Sequence, residues 1–284
     1  DVVSIADLLE KTSGDEQWKV IQESFNVNEV ATYFAVNMVL SHWDGFFNNY
    51  FAYHDTKNDK WEMYPWDQDK TWGYYDGLPD DRVFFDMPLT YGMAGDRPPG
   101  TQGDGGRDRG FGFGRGGPMW WREGGHFSRP LLANPRFREV FLIRTKEILE
   151  KIYTKEIYFP LIESMAGSLE EDVRLRAEGS GRTAEDGTQE LTRNVELLKT
   201  HLINRRQFLL EQEELRSLEP APAGRRDHTV RVGRRLAARA TGAVRPAPPP
   251  DPDSGRPPAR PRIPPGPGGR ICLGRAGRPP HPLP

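Results

Sequence analysis

Four residues carry oxygens at a spacing that suits chemistry: Asp44, Asn49, Asp67 and Asp69. Asp44 and Asn49 lie in His42-Trp-Asp-Gly-Phe-Phe-Asn-Asn49. Asp67 and Asp69 lie in Trp66-Asp-Gln-Asp-Lys-Thr-Trp-Gly73, and an aromatic-rich stretch separates the two runs. That order suits phosphoryl transfer. One Asp accepts the proton of an attacking hydroxyl, an Asn and a second Asp hold Mg²⁺, and the chain folds back to bring them together. Mg²⁺ takes hard oxygen ligands and few protein carboxylates, with phosphates and water filling the rest. Asp67 and the side-chain oxygen of Asn49 suffice for that, and Asp44 is placed to orient and deprotonate the acceptor hydroxyl.

Blander and rival readings stand beside this one. Asp44-Gly45 can make a turn, Asn49 can cap a backbone group, and Asp67 and Asp69 can cap a helix. Asp67-x-Asp69-x-Thr71-x-Gly73 alternates oxygens as a calcium loop does, but its glycine is out of register and no Glu closes it. Asp44 and Asp67 could also serve as the paired carboxylates of a glycosidase, with the neighbouring aromatics stacking on sugar.

The elements that must position these residues read mostly as helices. Val2–Lys11 and Asp15–Phe25 are short amphipathic helices, with Asp15 as N-cap of the second. Asn28 caps a third, Glu29 to about Leu40, whose apolar residues cover most of its surface and mark it as buried on several sides. Tyr50-Phe-Ala-Tyr-His and Trp61-Glu-Met-Tyr, joined by the polar Asp55–Lys60, read as a β-hairpin ended by Pro65. The aromatic stripe of Trp43, Phe46, Phe47, Tyr50, Phe51, Tyr53, Trp61, Trp66 and Trp72 reads as core beneath the site. Further helices are expected over Arg138–Ile152, within Glu156–Leu175 as one or two pieces after Pro160, and over Glu190–Glu214. The charged side chains of the last, Arg205, Arg206, Glu211, Glu213 and Glu214, read as a solvated face. His54, His126 and His201 read as surface or half-buried residues without metal-ligand spacing.

Composition divides the chain. Residues 221–284 hold 13 Arg, 3 Asp, no Lys and no Glu, a balance of +10, which leaves 26 basic and 38 acidic residues, a balance of −12, in 1–220. The same tail holds 16 of the 26 prolines and no aromatic residue, so it cannot bury enough apolar surface to offset chain entropy and is expected to be disordered. Its abrupt change in residue usage also fits out-of-frame translation of GC-rich DNA. The one cysteine, Cys272, lies there, which removes disulfides, thiolate metal sites and cysteine nucleophiles from the body. Residues 92–118 form a second biased stretch, with 11 glycines in 92–117 and no capacity for a packed core. It reads as an insertion after which Trp120 and Trp121 close over the site. RNA binding by Arg109-Gly-Phe-Gly-Phe-Gly-Arg115-Gly-Gly is the less favoured reading of its middle. No run approaches the roughly 20 apolar residues of a membrane span. The first residue is Asp, and the sequence reads as a fragment or processed product.

His42-x-Asp44-x-x-x-x-Asn49 reproduces the spacing of the protein-kinase catalytic loop, followed by a hairpin and an Asp at a strand end. More specifically, Asp44-Gly-x-x-x-Asn49-Tyr-Phe-x-Tyr53 and Trp61-Glu-x-Tyr-Pro-Trp-Asp-Gln-Asp-Lys-Thr-Trp-Gly73 resemble the spore coat protein H (CotH) kinase-like family. Similarity in style continues through Asn134-Pro-Arg-Phe-Arg to about residue 215. The resemblance implies an α+β fold: a protein-kinase-like large lobe over 1–218, mainly helical with a small β-hairpin at the site, and the tail of 219–284 outside it. It implies ATP and Mg²⁺ as cofactors, with Mn²⁺ able to substitute, and phosphorylation of Ser or Thr on secreted or coat-associated proteins. By that resemblance Asp44 is the catalytic aspartate, Asn49 and Asp67 are metal ligands, and Asp69 is an accessory position. Trp43 replaces the Arg of the kinase His-Arg-Asp, and Phe46 stands where many kinases carry a phosphate-contacting Lys. The 41 residues before His42 read as helices and contain no glycine-rich lid or strand Lys, so the chain is expected to be a large lobe that is inactive alone. The alternative is a non-catalytic structural or coat-associated protein of the same fold.

Overall fold

The computed structural model describes residues 1–75, 82–93, 121, 123–218 and the backbone of 271–273. The chain enters through α1 (Val2–Lys11), whose N-cap Asp1 accepts a hydrogen bond from the Ser4 amide at 2.9 Å. α2 (Gly14–Ser24) follows. Ser13, not Asp15, takes its N-cap position, and Asp15 falls in the first turn, where its charge complements the helix dipole. α3 (Val27–Val39) likewise begins two residues early: its N-cap is Asn26, and the expected cap Asn28 is already helical.

α3 is the core of the domain. Val30, Ala31, Phe34, Ala35 and Met38 are fully buried along it. Its broadest partner is α5 (Pro135–Lys151), and Phe34 meets Phe137 edge to face at 6.4 Å. α5 starts where the sequence supplies both helix-start signals. The Asn134 side chain accepts from the Arg136 and Phe137 amides, and Pro135 fills the first helical position, where no N–H is needed. α4 (Ser128–Ala133) packs against the start of α5.

Beyond α3 the chain makes a 3₁₀ turn, Trp43–Phe46, then the hairpin strands β1 (Tyr50–Asp55) and β2 (Lys60–Pro65), then a second 3₁₀ turn, Gln68–Lys70. The strands pair antiparallel with Tyr50 opposite Pro65 and Asp55 opposite Lys60. Ala52 and Met63, paired and buried, hold the inner face of the hairpin on the core. Phe51, Tyr53, Tyr64 and Trp66 lie on the outer face. There Phe51 meets Trp66 and Tyr53 meets Tyr64 edge to face, with Tyr64 and Trp66 exposed, so Phe51, Tyr53 and Trp66 do not join the core as expected. The backbone of Ile271–Leu273 forms β3, antiparallel to β1 at Phe51–Tyr53. The rest of 219–284, and residues 94–120 including the Arg109–Gly117 tract and Trp120, lie outside the described residues.

The last third is a long helical hairpin. α6 (Lys155–Gly179) is one helix, with Pro160 accommodated inside it rather than dividing it. α7 (Ala184–Leu210) opens with a capping box in which the Thr183 and Asp186 side chains each bond the other's backbone. α7 ends four residues short of the expected Glu214, and α8 (Glu213–Arg216) follows as a separate turn. The charged set at the end of α7 and on α8 is only partly a solvated face: Glu211, Glu213 and Glu214 are exposed, but both arginines are drawn into the fold. Arg205 is fully buried, Arg206 Nε donates to the Leu149 carbonyl at 2.9 Å, and Glu214 accepts two bonds of 2.6 Å from Arg138. His201, expected at or near the surface, is also fully buried.

Candidate functional site

The site forms at the open end of the hairpin, where both runs of oxygen-bearing residues leave the strands. The Trp66 amide donates to the Asn49 carbonyl at 3.1 Å, one step beyond the last strand pair. Asp67, the next residue, is thereby fixed beside Asn49. The Asn49 side chain turns back through Nδ2 to the Asp44 Oδ2 at 2.6 Å, and its backbone takes a left-handed φ of 54°, which Asn tolerates better than most residues. One amide side chain therefore ties Asp44 to the hairpin end that carries Asp67. The two 3₁₀ turns also pack against each other.

The bonding bears on the turn and capping readings. Asp44 and Gly45 do lie in a turn, the 3₁₀ turn Trp43–Phe46, whereas among the described residues the Asn49 side chain bonds a carboxylate and not a backbone group. Asp67 occupies the position before the second 3₁₀ turn, at φ 51°, yet makes no side-chain cap bond. Asp69 faces Lys70 Nζ at 3.4 Å. The Thr71 hydroxyl donates to the Gln68 carbonyl, and among the described residues no three His, Cys, Asp or Glu side chains are grouped to hold a metal ion. The protein supplies instead one exposed carboxylate, Asp67, and one amide oxygen, Asn49 Oδ1, whose sister nitrogen is committed to Asp44.

Behind Asp44 lies a buried frame that sequence reasoning missed. Tyr33 and Asn37, one turn apart on α3, both reach the Asp44 loop. The Tyr33 hydroxyl donates to the Gly45 carbonyl at 2.7 Å, and Asn37 Oδ1 meets His42 Nδ1 at 3.0 Å. Gly45 is required by this packing, since a Cβ there would come within 2.6 Å of His42 Nδ1 and 2.8 Å of Asn37 Nδ2. The available signal was Asn37 itself, a polar residue in a helix otherwise apolar over most of its surface. Burial holds the His42 pKa down to about 4, opposed by the Asp69 charge and the Asp67 backbone carbonyl. Although that carbonyl is near enough to act on the ring, Nε2 makes no hydrogen bond of ordinary geometry. At neutral pH His42 is thus an uncharged spacer between the Asp44 loop and the Asp67 backbone. Burial also raises Tyr33 above its ordinary range and Tyr50 to about 12, so both remain neutral.

Trp43 and Phe46, the departures from the kinase pattern, are core residues. Trp43 Nε1 donates to the Tyr74 carbonyl at 3.1 Å, and Phe46 packs edge to face on Tyr91 at 5.2 Å. Lys11 and Lys19 lie on α1 and α2 with exposed side chains beside Asp7 and Glu23, so neither reaches the site.

The chain belongs to the CotH kinase protein family, whose model matches residues 1–209. No curated protein matches the sequence. The described fold is mostly helical with one small antiparallel sheet, and no described helix is long and apolar enough to cross a membrane.

Proposed function

We propose that this chain carries the large-lobe half of a phosphoryl-transfer site acting on Ser or Thr hydroxyls of proteins. The carrying observation is the Asn49 side chain, bonded to Asp44 and fixed by its own backbone beside Asp67. Mg²⁺ with ATP, when bound, supplies the phosphoryl group and offsets its developing charge. Asp44, held in one rotamer by Asn49, accepts the proton of the incoming hydroxyl. Asp67 and Asn49 Oδ1 are the oxygens offered to the cation, and Asp69 with Lys70 forms the second turn that supports Asp67. The described residues ahead of His42 are helices, with no strand lysine to hold phosphates. This supports an incomplete catalytic site in this chain, and hence weak nucleotide binding and negligible transfer.

Electron paramagnetic titration with Mn²⁺ and ATP tests the reading. Wild type is expected to bind Mn²⁺, Asp67→Asn to lose that binding, and Asp44→Asn to keep it. Equal binding by wild type and Asp67→Asn would leave the non-catalytic scaffold as the function. Robust Asp44-dependent incorporation of labelled phosphate into protein would overturn the incompleteness and keep the chemistry.

A further inference from the structure

Two residues one turn apart on α7, His201 and Arg205, are fully buried at the rear of the site. His201 Nε2 lies 3.2 Å from the Ser41 hydroxyl, and Nδ1 lies 3.1 Å from the Tyr153 hydroxyl. Ser41 immediately precedes His42 and takes a left-handed φ of 52°. The same imidazole packs on the Trp72 ring at 5.7 Å, and Trp72 also meets Tyr153 and Tyr158. Trp72 follows the Asp67–Asp69 turn, and its amide donates to the Leu40 carbonyl at 2.7 Å. His201 therefore touches the chain just before Asp44 and just after Asp69.

Arg205 extends the contact. Its Nε and Nη2 donate to the Met38 carbonyl at 3.2 and 2.6 Å, in the last turn of α3, where a cation suits the helix dipole. Its Nη1 donates to the Phe85 and Met87 carbonyls at 2.8 and 2.6 Å. The Phe84 amide in turn bonds the Gly73 carbonyl at 3.0 Å. The guanidinium is thus satisfied by backbone carbonyls, a use that suits its planar fork of donors.

We propose that His201 and Arg205 are positioning residues, a clamp from α7 that sets the distance between the Asp44 loop and the Asp67 turn. As a statement about catalysis this rests on the phosphoryl-transfer reading. As a statement about which segments move together it does not. The clamp acts through Ser41 and Trp72 and touches no reacting atom. Removing it loosens both segments at once and leaves the hairpin between them intact.

Hydrogen exchange on the whole chain tests this at three amides: His42, bonded to the Asn37 carbonyl, Trp72, bonded to the Leu40 carbonyl, and Tyr64, opposite Phe51 at a hydrogen-bonded position of the hairpin. In His201→Leu, His42 and Trp72 are expected to exchange at least about tenfold faster with Tyr64 unchanged, and His201→Gln, which restores both polar partners, returns them to near wild type. Mn²⁺ affinity is expected to fall about tenfold in His201→Leu although both proposed ligands remain, as when supporting residues of a metal site are removed. Should His201→Leu fail to fold, Tyr153→Phe deletes a single hydroxyl and is read in the same way. Acceleration of all three amides together, or of none, overturns the clamp. Loss of selective Mn²⁺ binding in wild type sinks only the phosphoryl-transfer reading, because the exchange result still decides the clamp.

Discussion

The two segments that bear the candidate site's oxygens are held in opposite ways. The Asp44 loop is buried and pinned by side chains: Asn37 on His42, Tyr33 on the Gly45 carbonyl, Tyr91 on the Trp43 carbonyl, and Asn49 on Asp44 itself. The Asp67 turn is exposed at Trp66, Asp67 and Asp69 and held by its backbone, with left-handed φ values of 51° at Asp67, 58° at Trp72 and 70° at Gly73. A group that must accept a proton at one angle gains from a rigid buried frame. A carboxylate offered to a hydrated cation gains from solvent access and from anchoring at its flanks.

Acid should strike the buried side first and hardest. His42 is held to about 4 and His201 to about 3, both from 6.5 and both chiefly by burial. Both therefore stay neutral in the fold while the unfolded chain takes up protons. Stability should be unaffected by these groups above pH 6.5, fall as pH drops through 6.5, and stop falling at about 4 for His42 and about 3 for His201. The His42 shift is worth on the order of 3 kcal/mol and the His201 shift on the order of 5 kcal/mol. Urea midpoints at pH 7, 5 and 4 check this, and His42→Gln should remove about half of the slope. A flat profile would mean that His42 is not buried neutral, and the contrast between the segments would be lost.

Next in size is Gly73→Ala, which probes the rigid end of the exposed segment. A Cβ at Gly73 would lie 1.8 Å from the Phe84 carbonyl oxygen, a backbone atom that cannot swing aside, and φ is already left-handed. The expected loss is above about 3 kcal/mol in urea unfolding. Gly14→Ala is the control: its φ is +57° with nothing within 4 Å, so only the backbone strain of about 1 kcal/mol applies. Equal costs at the two glycines would show that the Asp67 turn is not anchored at Gly73.

Local signals were legible and long-range ones were not. Helical periodicity located α1 to its end residues and α3 to within two, and the polar turn between aromatic runs located the hairpin. The capping residues went wrong because Asp15 and Asn28 are as good cap formers as Ser13 and Asn26, and propensity cannot choose between neighbours. Pro160 suggested a break that α6 does not have, since the helix runs on past it. The site residues came from their order in the sequence, but the bond joining Asn49 to Asp44 depends on a left-handed backbone that no propensity specifies. Hidden entirely were His201 and Arg205, 160 and 167 residues from their partners Ser41 and Met38. A buried arginine satisfied by carbonyls has the same sequence signature as a solvated one.

The smallest effects discriminate best between the pinned and the exposed carboxylate. Asn49→Ala removes the charge-assisted bond to Asp44 and places Ala at a φ of 54°, so it should cost about 2 kcal/mol. Asp67→Asn touches an exposed side chain with no cap bond, so its unfolding free energy should stay within about 0.5 kcal/mol of wild type. Those two numbers come from the same urea series and need no ligand. If Asp67→Asn were as costly as Asn49→Ala, Asp67 would be a structural residue like its neighbours in the core. A neutral Asp67→Asn that still abolishes Mn²⁺ binding is the pattern of a side chain kept for a ligand, because nothing in the fold then depends on its charge.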